Sequence, residues 1–177
     1  MNYYVVQVRT GKESGFVKSR NTEKEMRENE SKYEILLPER ILNIRKSGKI
    51  TEKKAAVFPG YAFIEAEKFT KDIYNDVKQL KGFYRFLPNN QTPTPLTGSD
   101  LDTLKHFISF GCVAKFSLAV FDENDRIQIL EGPLKGLEGK IIKVDKRKGR
   151  AKVMLDMYQN SFAIDFGFKE LRFSGKK

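Results

Sequence analysis

The chain has 177 residues, of which 40% are hydrophobic and 32% are charged, and it carries a formal net charge of +10. The hydrophobic content, with 14 Phe, excludes an intrinsically disordered chain and suffices for one large core or two small ones. A single cysteine excludes an internal disulfide and a cluster of thiolate ligands, and the basic balance favours an anionic partner such as nucleic acid.

The sequence contains no apolar run of the roughly 18 to 20 residues that a membrane-spanning helix needs. Its first residues, MNYYVVQVRTGKE, lack the basic segment and apolar run of a secretory signal. We therefore expect a cytoplasmic protein, and the lone cysteine fits a reducing compartment.

The first elements predicted along the chain are a strand, a helix and a hairpin. Tyr3–Arg9 is short and rich in β-branched and aromatic residues, which favours a strand, and the charged stretch 12–30 predicts a helix with a thin apolar stripe. Extended segments follow on both sides of Pro38. The glycine turn after them predicts an exposed hairpin tip that bears a basic patch: Arg45, Lys46 and Lys49.

The next elements complete a first domain. The alternation in AFIEAE predicts a strand over 62–67, and Thr70 is placed to cap a helix whose apolar residues share one face. FYRFL predicts a short strand, and Ser99 can cap a last helix with Leu101, Leu104 and Ile108 turned inward. This order indicates an α+β domain, an N-terminal α/β sandwich with an antiparallel sheet and helices, which ends near Phe110.

The chain from residue 121 onward predicts a small five-stranded β-barrel. Five β-prone runs, RIQIL, GKIIKV, AKVML, SFAIDF and LRF, are separated by glycine-containing turns. The predicted domains are therefore 1–110 and 121–177, with 111–120 as a short connection, and we expect a monomer.

Basic residues are concentrated in one hairpin of this predicted barrel. Residues 120–177 contain 13 basic and 9 acidic side chains, whereas 143–152 contain six basic and one acidic. Like charges this close repel one another, so folding alone does not explain the cluster, although a solvated hairpin tip would tolerate it. The candidate RNA-binding residues are Lys143, Lys146, Arg147, Lys148, Arg150 and Lys152.

The segment NDRIQILEGPLKGLEGKIIKVDKRKGRAKVML resembles the KOW motif, with an Asp after a loop, alternating apolar residues, a Gly-Pro pair and a further glycine. KOW segments occur in ribosomal proteins as well as in transcription factors. The resemblance therefore implies an SH3-like barrel that acts on RNA or on a ribonucleoprotein surface.

Four further landmarks resemble the NusG N-terminal domain: Tyr3–Val6 followed by Gly11–Glu13, Val57–Tyr61, Gly82–Phe86 and Pro95–Leu96. The resemblance covers Tyr3 to Phe173 and implies a transcription elongation factor of the NusG family. Within that family the chain is more similar to the specialised antiterminating LoaP group, and more distantly to RfaH, than to the housekeeping members. Met157–Asn160 departs from the family's usual Gly-Arg turn.

The resemblance implies that the first domain docks on the clamp helices of RNA polymerase. Phe58, Tyr61 and Phe86 match the motif positions for aromatic anchors, and ordinary core positions are the alternative. The basic hairpin would contact nascent RNA, most simply an RNA hairpin, and the patch around Arg45 would face DNA of the transcription bubble or emerging RNA.

Enzymatic chemistry is not expected. The chain offers one His, His106, one Cys and no phosphate-binding glycine motif, and no cofactor or metal site is predicted. Three hypotheses follow: a processive antiterminator that reads RNA, a general NusG that recruits Rho or the ribosome, and a KOW-containing ribosomal or RNA-chaperone protein.

Overall fold

The computed structural model describes residues 1–27 and 33–171. It divides into two compact units: the first unit comprises Met1–Pro38 and Ala56–Asp102, and the second unit comprises Glu39–Ala55 and Thr103–Lys177. In chain order the elements are β1 (Asn2–Val8), α1 (Glu13–Arg27), β2 (Tyr33–Leu36), β3 (Glu39–Lys46), β4 (Lys49–Ala56), β5 (Tyr61–Ala66), α2 (Lys71–Gln79), β6 (Phe83–Phe86), α3 (Gly98–Ile108), β7 (Val113–Ala114), β8 (Ser117–Phe121), β9 (Ile127–Glu131), β10 (Ile141–Asp145), β11 (Arg150–Met157) and β12 (Asn160–Glu170).

A four-stranded sheet of order β2-β5-β1-β6 forms the body of the first unit. Strand β1 pairs antiparallel with β5 and with β6, and β2 pairs antiparallel with β5. Nearly every residue of β1 and β5 is buried, which suits central strands that are covered on both faces. The predicted strands and the α+β class are thereby confirmed.

The predicted helices of the N-terminal half are present. Thr70 caps α2, because its Oγ1 accepts the backbone N–H of Ile73 at 3.3 Å, and Ile73 and Val77 are buried on the face that the sequence predicted. Helix α1 ends at Arg27, and residues 28–30 of the helix predicted over 12–30 lie outside the described residues. Helix α3 begins at Gly98, one residue before the predicted cap Ser99.

The second unit contains a five-stranded curled half-barrel of order β10-β11-β12-β8-β9. The long antiparallel pairing of β11 with β12 forms its centre, and β12 also pairs in parallel with β8. The predicted small β domain is confirmed, but the strand SLAVF comes from the predicted connection 111–120. Of the predicted run LRF, residues 172 and 173 lie outside the described residues.

The hairpin formed by β3 and β4 is also part of the second unit. Its turn places Ser47 and Gly48 at φ values of 49° and 78°, and β3 pairs in parallel with β7 through Glu39 and Arg40. This grouping differs from the predicted limits 1–110 and 121–177. The grouping describes which residues pack together. Whether 1–110 and 121–177 each fold independently stays a prediction.

We expect Gly132→Ala to be more destabilising than Gly136→Ala, although both glycines have positive φ, +96° and +80°. A Cβ at position 132 would lie 2.7 Å from Cα of Ser117, whereas one at position 136 meets nothing within 4 Å. The Gly136 variant should lose about 1 kcal/mol of unfolding free energy from φ strain alone. The Gly132 variant should lose about 2–4 kcal/mol, since backbone must also move.

Urea denaturation of the two variants measures these losses directly. Equal losses would contradict the close approach between the turn at residue 132 and strand β8.

Candidate nucleic-acid interface

The turn between β10 and β11 is built by its backbone and by one carboxylate. Gly149 has φ +60°, and its N–H donates to the carbonyl of Lys146 at 3.1 Å. A Cβ on Gly149 would lie 2.8 Å from the carbonyl oxygen of Phe168, whose own N–H donates to the Gly149 carbonyl at 2.8 Å. The conformation therefore requires glycine, and it does not require the cations around it.

Asp145 fixes the other end of this turn. Its carboxylate accepts the backbone N–H of Lys148 at 3.0 Å. This hydrogen bond, followed by the positive charges of Lys148 and Arg147, holds the pKa of Asp145 below its usual value. The acidic residue of the cluster thus orders the loop that presents the basic ones.

Three of the six predicted RNA-binding cations form ion pairs within the protein. Lys148 lies 3.7 Å from the Asp145 carboxylate, and Lys152 lies 3.0 Å from that of Asp165. Lys146 contacts Asp125 at 2.5 Å, and its ammonium sits 3.7 Å from the centre of the Phe121 ring. These pairs are solvent-accessible, so each contributes little to stability and can exchange for a phosphate.

Arg147 and Lys143 are exposed, and within the described residues neither forms an ion pair. Arg150 is different because it is only partly exposed and its Nη2 donates to the backbone carbonyl of Asn43 at 2.6 Å. Its Nε is buried and, within the described part of the chain, lacks a hydrogen-bond acceptor. Arg147 is therefore the turn's most available guanidinium, and Arg150 is a structural link to strand β3.

A cleft of about 670 Å³ separates this turn from the β3–β4 hairpin, and we call it the hairpin cleft. One wall carries Asn43, Ile44, Arg45 and Ile50, and the other carries residues 146–150. Five cationic side chains and one carboxylate, that of Glu170, line it. The structure thus brings Arg45 of the second predicted patch beside the predicted RNA-binding turn.

The remaining predicted residues lie elsewhere. Lys143 and Lys152 line a second pocket of about 210 Å³, the carboxylate pocket, together with Asp145 and Asp165. Lys148 and Arg150 line both this pocket and the hairpin cleft. Lys46 and Lys49 are exposed and do not line the hairpin cleft. The basic cluster of the sequence therefore spans two adjoining surfaces: a cleft lined by five cations and one carboxylate, and a pocket lined by four cations and two carboxylates.

Arg40 is a residue that the sequence reasoning missed. Its Nε donates to the backbone carbonyl of Asp165 at 2.6 Å. Burial lowers the pKa of Arg40, the Asp165 carboxylate opposes that shift, and neighbouring Arg150 adds to it. The partner lies 125 residues away in sequence, so no local pattern signals this contact.

The aromatic residues predicted to touch polymerase lie in the core of the first unit. Phe58, Tyr61 and Phe86 are 1%, 5% and 0% exposed. Phe58 packs edge-on against Phe63, and Phe86 contacts Phe69 and other rings. A direct anchor needs exposed area, which these three rings do not offer in this structure.

Asp145 gives a pH-dependent prediction. Because its pKa is lowered in the folded protein, its carboxylate adds stability above the pKa of an unfolded aspartate, about 3.9, and that stability is lost as pH falls through the folded value. We expect Lys148→Ala to keep most of the shift, since the backbone N–H remains. Carbon-detected NMR titration of the Asp145 carboxyl measures it.

A return of the Asp145 pKa to its usual value in Lys148→Ala would show that the ammonium, and not the backbone hydrogen bond, causes the shift.

None of the helices among the described residues is long and apolar enough to cross a membrane.

Two known families match parts of the chain. Residues 1–105 match the family model "Transcription termination factor nusG", and residues 123–156 match the KOW motif. Among curated proteins, the chain is 26% identical over 176 residues to the transcription termination/antitermination protein NusG of Bacillus subtilis, covering 96% of this chain and 97% of the relative. It is 22% identical over 149 residues to the protein of that name from Thermus thermophilus, covering 78% of this chain and 79% of the relative.

A solved structure described as "Domain interaction in Thermotoga maritima NusG" shares the fold, with a TM-score of 0.59, 20% identity, and coverage of 94% of this chain and 93% of that one. The resemblances to NusG and to the KOW motif are thereby confirmed, whereas the LoaP subdivision stays a prediction. Since the family model spans more than half of its length, the chain belongs to the NusG family of transcription termination/antitermination factors, which are not enzymes.

Proposed function

We propose that this chain is a processive antiterminator of the LoaP type. Its first unit binds RNA polymerase, as membership of the NusG family implies, and its second unit binds structured nascent RNA through the cations of the β10–β11 turn. It acts as a cytoplasmic monomer on a limited set of transcripts. It uses no cofactor.

The observation that carries this proposal is the charge of the hairpin cleft. Five cations and one carboxylate line it. The turn that supplies four of those cations is fixed in its conformation by Gly149 and by the hydrogen bond to the Asp145 carboxylate. Each phosphate that a cation neutralises releases counterions, so such a cleft binds nucleic acid with strong salt dependence. A surface that only contacts proteins has no need of this density of like charge.

For the polymerase contact, we propose that Phe58, Tyr61 and Phe86 set the shape of the docking surface from within the core. Packed rings of this kind make a surface rigid, and a rigid surface loses less entropy when a partner docks. The aromatic packing of Phe58 on Phe63 supports this role.

Phe58 tests this role through two substitutions. Phe58→Ala removes a buried ring, so we expect a loss of about 3–5 kcal/mol in unfolding free energy and a loss of polymerase binding with it. Phe58→Leu nearly conserves the apolar volume and should lose less than about 1.5 kcal/mol while binding polymerase normally. Pull-down of core RNA polymerase, with circular dichroism as the folding control, measures both.

A Phe58→Leu protein that folds normally but fails to bind polymerase would instead make the ring a direct contact. That result would favour the prediction from the sequence that Phe58 anchors the chain directly on polymerase.

Termination assays test the antiterminator proposal. With purified polymerase and a template whose leader encodes an RNA hairpin upstream of several terminators, we expect the wild-type chain to raise read-through at all of them. Arg147→Ala combined with Lys148→Ala should retain polymerase binding and lose most of the added read-through, because the exposed phosphate contacts are gone.

The control for this experiment is Lys53→Ala combined with Lys54→Ala, which removes two exposed cations that do not line the hairpin cleft. Read-through that is independent of the leader hairpin, or equal in both double variants, would overturn the proposal.

A general NusG function is the second candidate. Relatives named transcription termination/antitermination protein NusG match the chain over nearly its whole length. The match to the Helicobacter pylori protein, for example, covers 93% of this chain. In that role the second unit would recruit Rho or the ribosome, and chromatin immunoprecipitation would find the protein on most transcription units. Occupancy of only a few operons favours the antiterminator.

A further inference from the structure

We infer that the β3–β4 hairpin is the second wall of the RNA site, so that Arg45 and Arg147 contact phosphates of one double-helical RNA bound in the hairpin cleft. This inference rests on the proposed RNA-binding function. It adds Arg45 as a binding residue, the β3–β4 hairpin as a second wall and double-helical RNA as the bound form. The residues that match the KOW motif, 123–156, do not include this wall.

The first support is that the wall is fixed to the half-barrel by two reciprocal hydrogen bonds. Arg150 of the turn donates to the carbonyl of Asn43, at 2.6 Å, and Arg40 of the hairpin donates to the carbonyl of Asp165, also at 2.6 Å. Hydrogen bonds from charged groups are about twice as strong as neutral ones. The two links therefore hold β3 in a defined position against β11 and β12.

Close packing of the backbone gives the second support. A Cβ on Gly167 would lie 3.3 Å from the carbonyl oxygen of Ile41 and 2.3 Å from the Phe116 ring. Gly167 pairs with Arg150 across the β11–β12 ladder, so the glycine and the arginine link lie at the same level of the sheet. The absence of a side chain at Gly167 lets β3 approach to this distance.

The third support is the distribution of charge. The hairpin cleft is lined by five cations and one carboxylate, and of these cations Lys146 and Lys148 are paired with Asp125 and Asp145, whereas Arg147 forms no ion pair within the described residues. The carboxylate pocket shares Lys148 and Arg150 with the cleft, and both its Lys148 and its Lys152 are paired with the carboxylates that line it. An anionic polymer therefore has more to gain in the hairpin cleft. Arg45 is exposed there and, within the described residues, forms no ion pair.

The surface of the cleft favours a duplex over an unpaired strand. Single-strand binders stack bases on exposed aromatic rings, but Phe168 is the aromatic side chain that lines this cleft and it is only 5% exposed. Ile50, which is 62% exposed, offers an apolar contact to ribose. Recognition by phosphate and sugar contacts at fixed walls is the mode that proteins use for A-form RNA.

Arg45 and its neighbour Lys46 provide a matched pair for the test. Both are exposed, adjacent and cationic, but Arg45 lines the hairpin cleft and Lys46 does not. Binding of the full chain to an RNA hairpin with a 12-base-pair stem is measured by fluorescence anisotropy over a salt series from 50 to 200 mM. Removing one phosphate contact should weaken binding severalfold and lower the slope of log K against log salt by about 1.

We expect this change in Arg45→Ala and in Arg147→Ala, and no more than a twofold change in Lys46→Ala. An unpaired RNA of the same length and composition should bind at least about tenfold more weakly to the wild-type chain. If Arg147→Ala weakens binding while Arg45→Ala behaves like Lys46→Ala, the second wall is wrong and the proposed function stands. If Arg147→Ala binds the hairpin as the wild type does, the proposed function itself fails.

A second variant tests Arg40 as a positioning residue. Arg40→Met keeps the apolar stem of the side chain but removes the guanidinium and with it the hydrogen bond to the Asp165 carbonyl, so the wall is no longer held in place. In this background the Arg45→Ala substitution should have little further effect on RNA binding, because its phosphate contact is already lost. An undiminished Arg45 effect would show that the wall is positioned without Arg40.

Discussion

Two guanidinium groups donate to main-chain carbonyls that are more than 100 residues away: Arg150 to Asn43 and Arg40 to Asp165, with separations of 107 and 125 residues. Arginine suits this task because it stays charged when partly buried, whereas a lysine in the same place would lose its proton more readily. The two arginines repel each other, and Asp165 offsets that repulsion for Arg40. Arg150, which lines the hairpin cleft, thereby places positive charge there before any ligand binds.

Local features of the fold could be predicted from the sequence, because their causes are local. Thr70 caps α2 through a residue three positions on, and Gly149 is required by its own φ and by the strand beside it. Alternation of apolar residues likewise indicated the strand AFIEAE, because its period of two lies within the strand itself. The same reasoning placed the basic turn on a hairpin tip, where it lies.

Features that depend on distant pairing could not be predicted in this way. SLAVF became part of the half-barrel by pairing with β12, about 50 residues later, and with β9, and no pattern within it distinguishes a connection from a strand of the sheet. The aromatic residues of the FPGY motif show the same limit. Sequence indicates that Phe58 is important to the family's motif, but burial depends on what covers the ring, and only the folded structure gives that.

The division of the basic cluster between two surfaces bears on how a NusG-family protein becomes selective. Counterion release attracts any nucleic acid and carries no sequence information, so charge alone makes a general RNA binder. Discrimination requires walls whose spacing is fixed, since a movable wall adapts to single strands and duplexes alike. In the proposed site, the cations of the turn supply affinity, and the hydrogen bonds of Arg40 and Arg150 supply the rigidity that turns affinity into selection of an RNA shape. Without the second wall, the proposed site would keep the attraction to RNA and lose the means of selecting an RNA shape.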